Sequence, residues 1–178
     1  MTRSDTANRI LNVAEKAARA GGYGAFSFRE IAAEIGIKSA SVHYHFPTKE
    51  ALGEALAARY TDRFLSALGD PHSGSRHENL QSYIQNYAKA LKDDGLMCLC
   101  GMFGAEIQKL PESVARQTQD FFKRNLVWLE SVYMAAGANE IEARQNAASL
   151  ISCLEGAMIL ARAMEDSDLF DQATAHLG

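Results

Sequence analysis

Apolar residues recur at intervals of three and four along most of this chain, a spacing typical of amphipathic helices. The clearest example is the run at i, i+3, i+4 and i+7 formed by Phe28, Ile31, Ala32 and Ile35. Gly36 comes next, where a residue in the left-handed conformation would end that helix abruptly. Val42 and Phe46, at i and i+4, predict a second short helix with Ser39 as its N-cap. The pattern therefore predicts two short helices joined by a tight turn.

The same spacing predicts helices along the rest of the chain. A first helix is expected over about residues 5–20, and a fourth helix begins with Thr48 as its N-cap and reaches Gly69. The Gly, Pro and Ser residues over 69–75 predict a loop. Further helices are expected over about residues 80–91, 99–108, 112–135, 140–165 and 169–176. Because the sequence contains neither an alternating strand pattern nor an internal repeat, the expected fold is all-α with about nine helices.

The second helix of the predicted pair turns small, polar and aromatic side chains outward, namely Ser39, Ala40, His43 and Tyr44. Such a short helix gains little from packing, whereas its outward residues suit contacts to base edges in the major groove of DNA. We therefore interpret residues 28–46 as a helix-turn-helix whose second helix is the recognition helix. The alternative is that His43 and Tyr44 only cover the edge of a small domain.

The net charge of −4 weighs at first against a nucleic-acid partner. Residues 1–60, however, hold eight Lys or Arg and six Asp or Glu, a net charge of +2, whereas residues 61–178 hold ten against sixteen, a net charge of −6. The positive charge therefore lies with the predicted helix-turn-helix. A mildly basic end on an acidic body fits site-selective binding to DNA better than coating of DNA.

The composition fits a packed helical protein, because 47% of the 178 residues are hydrophobic and only three are proline. The sequence has no apolar run of about 18 residues, the length that spans a membrane, and its polar N-terminus lacks the core of a signal peptide. Three cysteines in a chain without an export signal indicate reduced thiols. We therefore expect a cytoplasmic protein with no membrane partner.

Residues 42–52, Val-His-Tyr-His-Phe-Pro-Thr-Lys-Glu-Ala-Leu, resemble the end of the helix-turn-helix in TetR-type transcriptional regulators. In that family, a histidine-containing, aromatic-rich end of the recognition helix leads through a short turn into a helix begun by Lys-Glu-Ala-Leu. Residues 9–18 and the turn at 21–23 resemble the first helix of the family and the turn after it. The resemblance covers residues 8–60, and the remainder is similar only in size and helical character.

The resemblance implies a helix-turn-helix DNA-binding domain at residues 1–47 and a ligand-binding and dimerisation domain at residues 48–178. Matched position by position, it implies base or DNA-backbone contacts for Arg29, Ser39, Ala40, Ser41, His43 and Tyr44. It implies phosphate contacts for Ser27, His45 and Lys49, and Lys38 completes the predicted DNA-binding set. The chemistry agrees, since arginine can hold guanine with two hydrogen bonds and alanine can touch the methyl group of thymine. Position 43 departs from the family, which usually has an aromatic residue there.

The helix expected over residues 140–165 is apolar nearly all round and therefore needs cover on every side. Because the chain after residue 60 is short, part of that cover is expected from a second copy. TetR-type proteins dimerise through their last two long helices, and the resemblance places this helix among them. The predicted interface residues are Leu150, Leu154, Ala157, Met158 and Ala161. A two-fold dimer predicts a palindromic operator, whereas the alternative is an ordinary core helix of a monomer.

Cys98 and Cys100 have a spacing that could suggest a metal pair. On a helix, however, their side chains are about 200° apart, and no further Cys or His stands at ligand spacing, so no metal site is expected. Residues 98–106 also resemble a Cys-Leu-x₆-Glu pattern in some TetR-type proteins, including ones that sense electrophiles through that cysteine. The resemblance implies Cys98 as a thiol sensor. The alternative is a small buried hydrophobic residue, since no Lys, Arg or His lies within four positions to favour the thiolate.

An apolar pocket is expected if the helices after residue 60 pack in chain order. Such a pocket, with a few polar groups, suits a flat or hydrophobic small molecule. The predicted lining residues are Tyr83, Tyr87, Cys98, Met102, Phe103, Phe121, Asn125 and Trp128. Each aromatic residue among them could equally belong to an ordinary core.

The sequence lacks a Gly-rich phosphate loop, a Gly-x-Ser-x-Gly elbow and a His-Glu-x-x-His motif, so we expect neither an enzyme nor a cofactor. We expect instead a homodimeric repressor of TetR type. A small-molecule inducer would release it from a palindromic operator in double-stranded DNA. In one form of this hypothesis, the inducer is a thiol-reactive molecule. Two other hypotheses stay open: an architectural or activating DNA-binding protein without an inducer, and a ligand- or protein-binding module with a vestigial helix-turn-helix.

Overall fold

The structure is a computed structural model, which describes residues 3–177. Within that range the chain forms nine α-helices, two single-turn 3₁₀ helices at Tyr23–Ala25 and Ile107–Lys109, and no strand. The α-helices are α1 (Arg3–Gly21), α2 (Phe28–Ile35), α3 (Ser39–His45), α4 (Lys49–Leu68), α5 (Arg76–Lys92), α6 (Leu99–Ala105), α7 (Glu112–Ala135), α8 (Glu140–Ala163) and α9 (Asp168–Thr174). The all-α class and the expected number of helices are confirmed.

Several helix ends are fixed by caps that the sequence contains. Thr48 accepts a hydrogen bond from the N–H of Ala51 at 3.0 Å, which confirms it as the cap of α4. α5 and α8 each begin with a capping box, formed by Ser75 with Glu78 and by Asn139 with Glu142. α6 ends at Ala105, short of the predicted residue 108, because the chain there tightens into a 3₁₀ turn.

Contacts divide the chain into two compact units. The first contains the chain up to Thr61 together with Leu99–Phe121. In this unit α1 packs against α2, α3 and α6. Its core includes the fully buried residues Ile10, Ala14, Ala18, Val42, Leu52, Leu56, Val114 and Phe121.

The second unit contains Asp62–Cys98 and the chain from Phe122 onward. In this unit α5, α8 and α9 pack against one another. Its core includes Leu80, Tyr83, Tyr87, Leu129, Val132, Ala147, Leu154, Met158 and Phe170. No helix formed by the described residues combines the length and the apolar character that a membrane crossing requires.

Candidate functional site

The turn between α2 and α3 has the geometry that its glycine predicts. Gly36 adopts φ 72° and ψ 38°, in the left-handed region, and its N–H donates to the carbonyls of Ala32 and Ala33. The N–H of Ile37 also donates to the carbonyl of Ala32, at 3.0 Å. These bonds satisfy carbonyl groups at the end of α2, so the helix stops and α3 can begin at Ser39.

Buried apolar side chains and one arginine hold α2 and α3 in place. Val42 of α3 is fully buried, and Ile31 of α2 is 1% exposed. Arg9 of α1 donates through Nη2 to the carbonyl of Ile35, the last residue of α2, at 2.8 Å. A cation at this end complements the partial negative charge of the helix. This role of Arg9 has no signal in the sequence, because its partner is a backbone group 26 residues away.

The ten predicted DNA-contacting residues belong to the first unit, on or next to α2, α3 and the start of α4. Tyr44 is 65% exposed. Exposed with it are Arg29, Lys38, Ser39, Ala40 and His43. Partly buried are Ser27, Ser41, His45 and Lys49. The surface of α3 is thus open to a partner molecule.

Two serines of this surface differ in what they cap. Ser27 caps α2, since its Oγ accepts the N–H of Glu30 at 3.3 Å and its hydroxyl donates to the Glu30 carboxylate at 2.6 Å. The prediction that Ser39 caps α3 is wrong. Lys38, with extended backbone angles, holds the N-cap position, and Ser39 is already helical. No side-chain cap bond forms there, so the Ser39 hydroxyl is not used as a cap.

His43 is held by contacts on two sides. Its ring meets the Phe28 ring edge-on, with centroids 4.5 Å apart. Its Nδ1 lies 3.4 Å from the carbonyl oxygen of Pro47. If Nδ1 carries the proton and donates to this carbonyl, Nε2 of the neutral ring is a hydrogen-bond acceptor. The histidine that departs from the family pattern is therefore a fixed group rather than a loose one.

Lys49 at the start of α4 has its ammonium over two aromatic rings. Nζ lies 4.8 Å from the centroid of Tyr23 and 4.6 Å from that of Phe26, within the range of cation–π attraction. Burial lowers the pKa of Lys49, and the carboxylates of Glu30 and Glu106 oppose that shift. The phosphate contact implied for Lys49 stays a prediction.

In the second unit the structure brings together five of the eight predicted ligand-binding residues, Tyr83, Tyr87, Cys98, Asn125 and Trp128. Tyr83 is fully buried, donates to Oδ1 of Asn125 at 2.9 Å and stacks on Trp128 with centroids 5.8 Å apart. The indole N–H of Trp128 donates to the carbonyl of Gly69 at 2.8 Å. Burial raises the pKa of Tyr83 well above its usual value. Its hydroxyl is therefore a neutral donor.

A carboxyl group that sequence analysis did not single out lies in this cluster. Glu155 of α8 accepts a hydrogen bond from the Tyr87 hydroxyl at 3.1 Å, and the Cys98 thiol also bonds to it. Burial raises the pKa of Glu155, while these two hydrogen bonds act in the opposite direction. Cys98 itself is 1% exposed. Tyr87 and Cys98 are buried and Glu155 is partly buried, so the three form a largely buried polar group.

The other three predicted ligand-binding residues, Met102, Phe103 and Phe121, belong to the first unit. Phe103 is fully buried and meets Tyr23 edge-on at 5.9 Å. Phe121 is fully buried and packs at 5.7 Å against Tyr60. Met102 is partly buried. Phe103 and Phe121 are therefore core residues of that unit.

The predicted dimer-interface residues require a correction. Leu150, Leu154, Ala157, Met158 and Ala161 are at most 4% exposed within the single chain. α8 packs against α5 and α9 of the same unit, so this stripe is already covered and has no surface left for a second copy. The exposed large apolar residues of α8 are instead Ile141, Ile159 and Leu160, with exposures of 72%, 59% and 47%.

Comparisons with known proteins agree with this architecture. The family model described as "Bacterial regulatory proteins, tetR family" matches residues 10–56, and "Transcriptional regulator LmrA/YxaF-like, C-terminal domain" matches residues 77–176. No match is found among curated proteins.

Solved structures match over nearly the whole chain. A TetR transcriptional regulator from Legionella pneumophila is 36% identical with a TM-score of 0.90, over 95% of this chain and 93% of that chain. A TetR-family regulator from Agrobacterium tumefaciens is 29% identical with a TM-score of 0.90, over 98% of this chain and 96% of that chain. The reduced form of E. coli NemR shares the fold at 19% identity, with a TM-score of 0.83 over 97% and 95%. The chain therefore belongs to the TetR family of DNA-binding transcriptional regulators, which are not enzymes.

Proposed function

We propose that this TetR-family regulator is a homodimeric repressor that binds a palindromic operator in the cytoplasm and is released by a small molecule. The observation that carries the proposal is the exposed recognition helix α3, which is anchored by the buried Val42 and offers Tyr44 at 65% exposure. Exposed residues on a helix that is otherwise fixed can contact DNA without reorganisation of the protein. The predicted contacts of Arg29, Ser39 and His43 are part of this proposal.

The second copy would cover the exposed face of α8. Residues on this face follow helical spacing and are all exposed: Ala148, Ser152, Gly156, Ile159 and Ala163. An added Cβ at Gly156 would meet no atom within 4 Å, so the backbone is open to close approach there. A two-fold axis would pair this face with itself and present two recognition helices to one side of the DNA. α7 would complete the proposed four-helix interface.

An apolar small molecule is the inducer that the second unit fits best. An open groove of about 400 Å³ lies beside Trp128 and is lined by Leu65, Pro71 and Val127 among others. This volume is in the range of small-molecule sites. Lys123, Arg124 and Ser131 also line this groove and would supply polar contacts that orient such a ligand. An inducer here would act through α6 and α4 and move the two recognition helices apart.

We propose a non-covalent inducer rather than one that reacts with the Cys98 thiol. The Cys98 thiol bonds to the carboxylate of Glu155 and is 1% exposed. A thiol-reactive molecule in solution therefore has little access to the Cys98 sulfur. Cys98→Ser is therefore expected to respond to an inducer as the wild-type protein does.

DNA selection from a random-sequence pool tests the proposed function. The wild-type protein should enrich a palindrome, and Tyr44→Ala and Arg29→Ala should bind the enriched DNA at least about tenfold more weakly. Exposed Gln85 of α5 provides a control position, where alanine should leave the affinity unchanged. Small molecules that weaken this complex would then establish repression by release, and the ligand and the DNA must weaken each other by the same factor. An enriched DNA that no small molecule displaces would favour an architectural or activating protein.

A further inference from the structure

A carboxylate at the end of α6 contacts the turn that follows α1. Oε2 of Glu106, the residue directly after α6, accepts a hydrogen bond from the backbone N–H of Tyr23 at 2.9 Å. Both residues belong to the first unit. A hydrogen bond to a carboxylate is charge-assisted and stronger than one between neutral groups. The contact joins residues 83 positions apart in the sequence.

The turn after α1 is shaped to receive this carboxylate. Gly22 adopts φ 81° and ψ −170°, a conformation in which L side chains are strained. An added Cβ would lie 2.5 Å from Oε1 of Glu106, closer than real Cβ atoms approach. The Glu106 carboxylate therefore occupies the space that a side chain at position 22 would need.

Aromatic and cationic contacts surround the same point. Tyr23 meets Phe103 of α6 edge-on at 5.9 Å and Phe26 at 5.6 Å. The Lys49 ammonium lies over the Tyr23 and Phe26 rings, and Glu106 is one of the two carboxylates that act on it. The turn after α1, the start of α4 and the end of α6 therefore meet around the Tyr23 ring.

We propose that Glu106 is a positioning residue that fixes the turn after α1 to the end of α6, and so couples the helix-turn-helix to α6. A displacement of α6 would pull on Tyr23, and through α1 and its Arg9–Ile35 contact would act on α2 and α3. This route is separate from the one through α4. It rests on the proposed function, because its purpose is to transmit induction.

The residues that flank α6 suit this role. Cys98 lies directly before α6 and bonds to Glu155 of the buried polar cluster, and Glu106 lies directly after it. α6 has only seven residues, from Leu99 to Ala105, and a helix of that length is about 10 Å long. A displacement of Cys98 can therefore be passed along this short helix to Glu106.

Amide hydrogen exchange at Tyr23 tests the contact without DNA or inducer. We expect Glu106→Ala to speed exchange of this amide at least about tenfold, since a bond to a charged acceptor is lost. Glu106→Gln keeps the reach of the side chain and an acceptor oxygen but loses the charge, and should lie between wild type and Ala. Glu106→Asp keeps the charge but falls short and should resemble Ala. Glu112→Ala, at an exposed carboxylate of α7, is the matched control. If Glu106→Ala does not fold, Tyr23 amide exchange is compared between Glu106→Asp and Glu106→Gln, and faster exchange in Glu106→Asp supports the contact.

Affinity for the DNA that the wild-type protein selects tests the coupling. Glu106→Ala should change that affinity about 2- to 30-fold. Its salt dependence should equal that of wild type, because no phosphate contact is removed. Unchanged Tyr23 exchange in a folded Glu106→Ala or Glu106→Asp variant would overturn the proposed contact, and unchanged affinity would overturn the coupling. If the wild-type protein selects no DNA, the proposed function fails, and the exchange experiment still decides the contact.

Discussion

The hydroxyl of Tyr87 on α5 donates a hydrogen bond to the carboxylate of Glu155 on α8 across 3.1 Å. The Cys98 thiol bonds to the same carboxylate, and burial raises the pKa of Glu155. An acidic group placed among tyrosines and a thiol is costly to ionise, because its charge loses hydration and gains only neutral partners here.

The raised pKa of Glu155 predicts a pH dependence of stability. The folded chain holds this proton to a higher pH than the unfolded chain, so the contribution is fully present below the unfolded pKa and is lost as the pH rises through the folded pKa. Glu155→Gln keeps an acceptor for Tyr87 and should therefore gain stability relative to wild type between pH 4 and pH 8. Urea unfolding at both pH values measures the difference in free energy of unfolding between Glu155→Gln and wild type. Glu112→Gln, at an exposed carboxylate, is the control. A relative stability that falls with pH would contradict the prediction.

Arg59 of α4 joins two residues of α1 in a mostly buried network. It donates to the Glu15 carboxylate and to the Asn12 amide oxygen, both at 2.9 Å, and the Glu15 side chain is only 8% exposed. Arg59→Met should lower the free energy of unfolding by about 3 kcal/mol, because a buried carboxylate loses its main cation.

The exposed Arg116–Glu112 pair provides the control for this change. Arg116→Met should alter the free energy of unfolding by about 0.5 kcal/mol or less, since exposed pairs contribute little. Equal effects of the two substitutions in urea unfolding would show that the Arg59 network is no stronger than a surface ion pair.

Gly36 and Gly24 allow a test of the turn between α2 and α3. An added Cβ meets no atom within 4 Å at either glycine, but only Gly36 has a positive φ. Gly36→Ala should therefore destabilise the protein by about 1 kcal/mol through its backbone alone, whereas Gly24→Ala should be neutral or slightly stabilising. Thermal unfolding of both variants measures the difference, and a neutral Gly36→Ala would count against the left-handed turn.

Ile159 and Leu154 separate the proposed dimer surface from the core of the second unit. Ile159 is 59% exposed and Leu154 is fully buried. Ile159→Glu should shift the protein towards monomer in light-scattering measurements while its helix content stays unchanged. Leu154→Ala should instead cost about 2–5 kcal/mol of stability, as for other core leucines. A fully dimeric Ile159→Glu variant would place the interface elsewhere.

Features that depend on neighbouring residues could be predicted from the sequence. The two ends of α7, Glu112 and Ala135, were predicted from the helical periodicity and the chain breaks that flank it, and both ends agree with the structure. Gly36 and Thr48 were identified because a left-handed turn and a helix cap each need a particular residue type. The helix-turn-helix was predictable for the same reason, since its signals lie within about twenty residues.

Features that depend on distant partners could not be predicted. The apolar stripes of α8 look alike in sequence, and only the packing of α5 and α9 shows that the stripe with Leu150 is internal. Glu106 stood out as part of a family pattern, yet its partner is a backbone N–H that has no sequence signal. The family resemblance implied a phosphate contact for Lys49, and nothing local in the sequence indicates the Tyr23 and Phe26 rings that lie under its ammonium.

The stoichiometry and symmetry of the protein on its selected DNA test the central claim most directly. Analytical ultracentrifugation together with footprinting should show two protomers on one palindrome, with half-sites about one helical turn (10–10.5 bp) apart or a multiple of it. Ile159→Glu should occupy half-sites independently and more weakly. A single protomer bound to a site without two-fold symmetry would contradict the account.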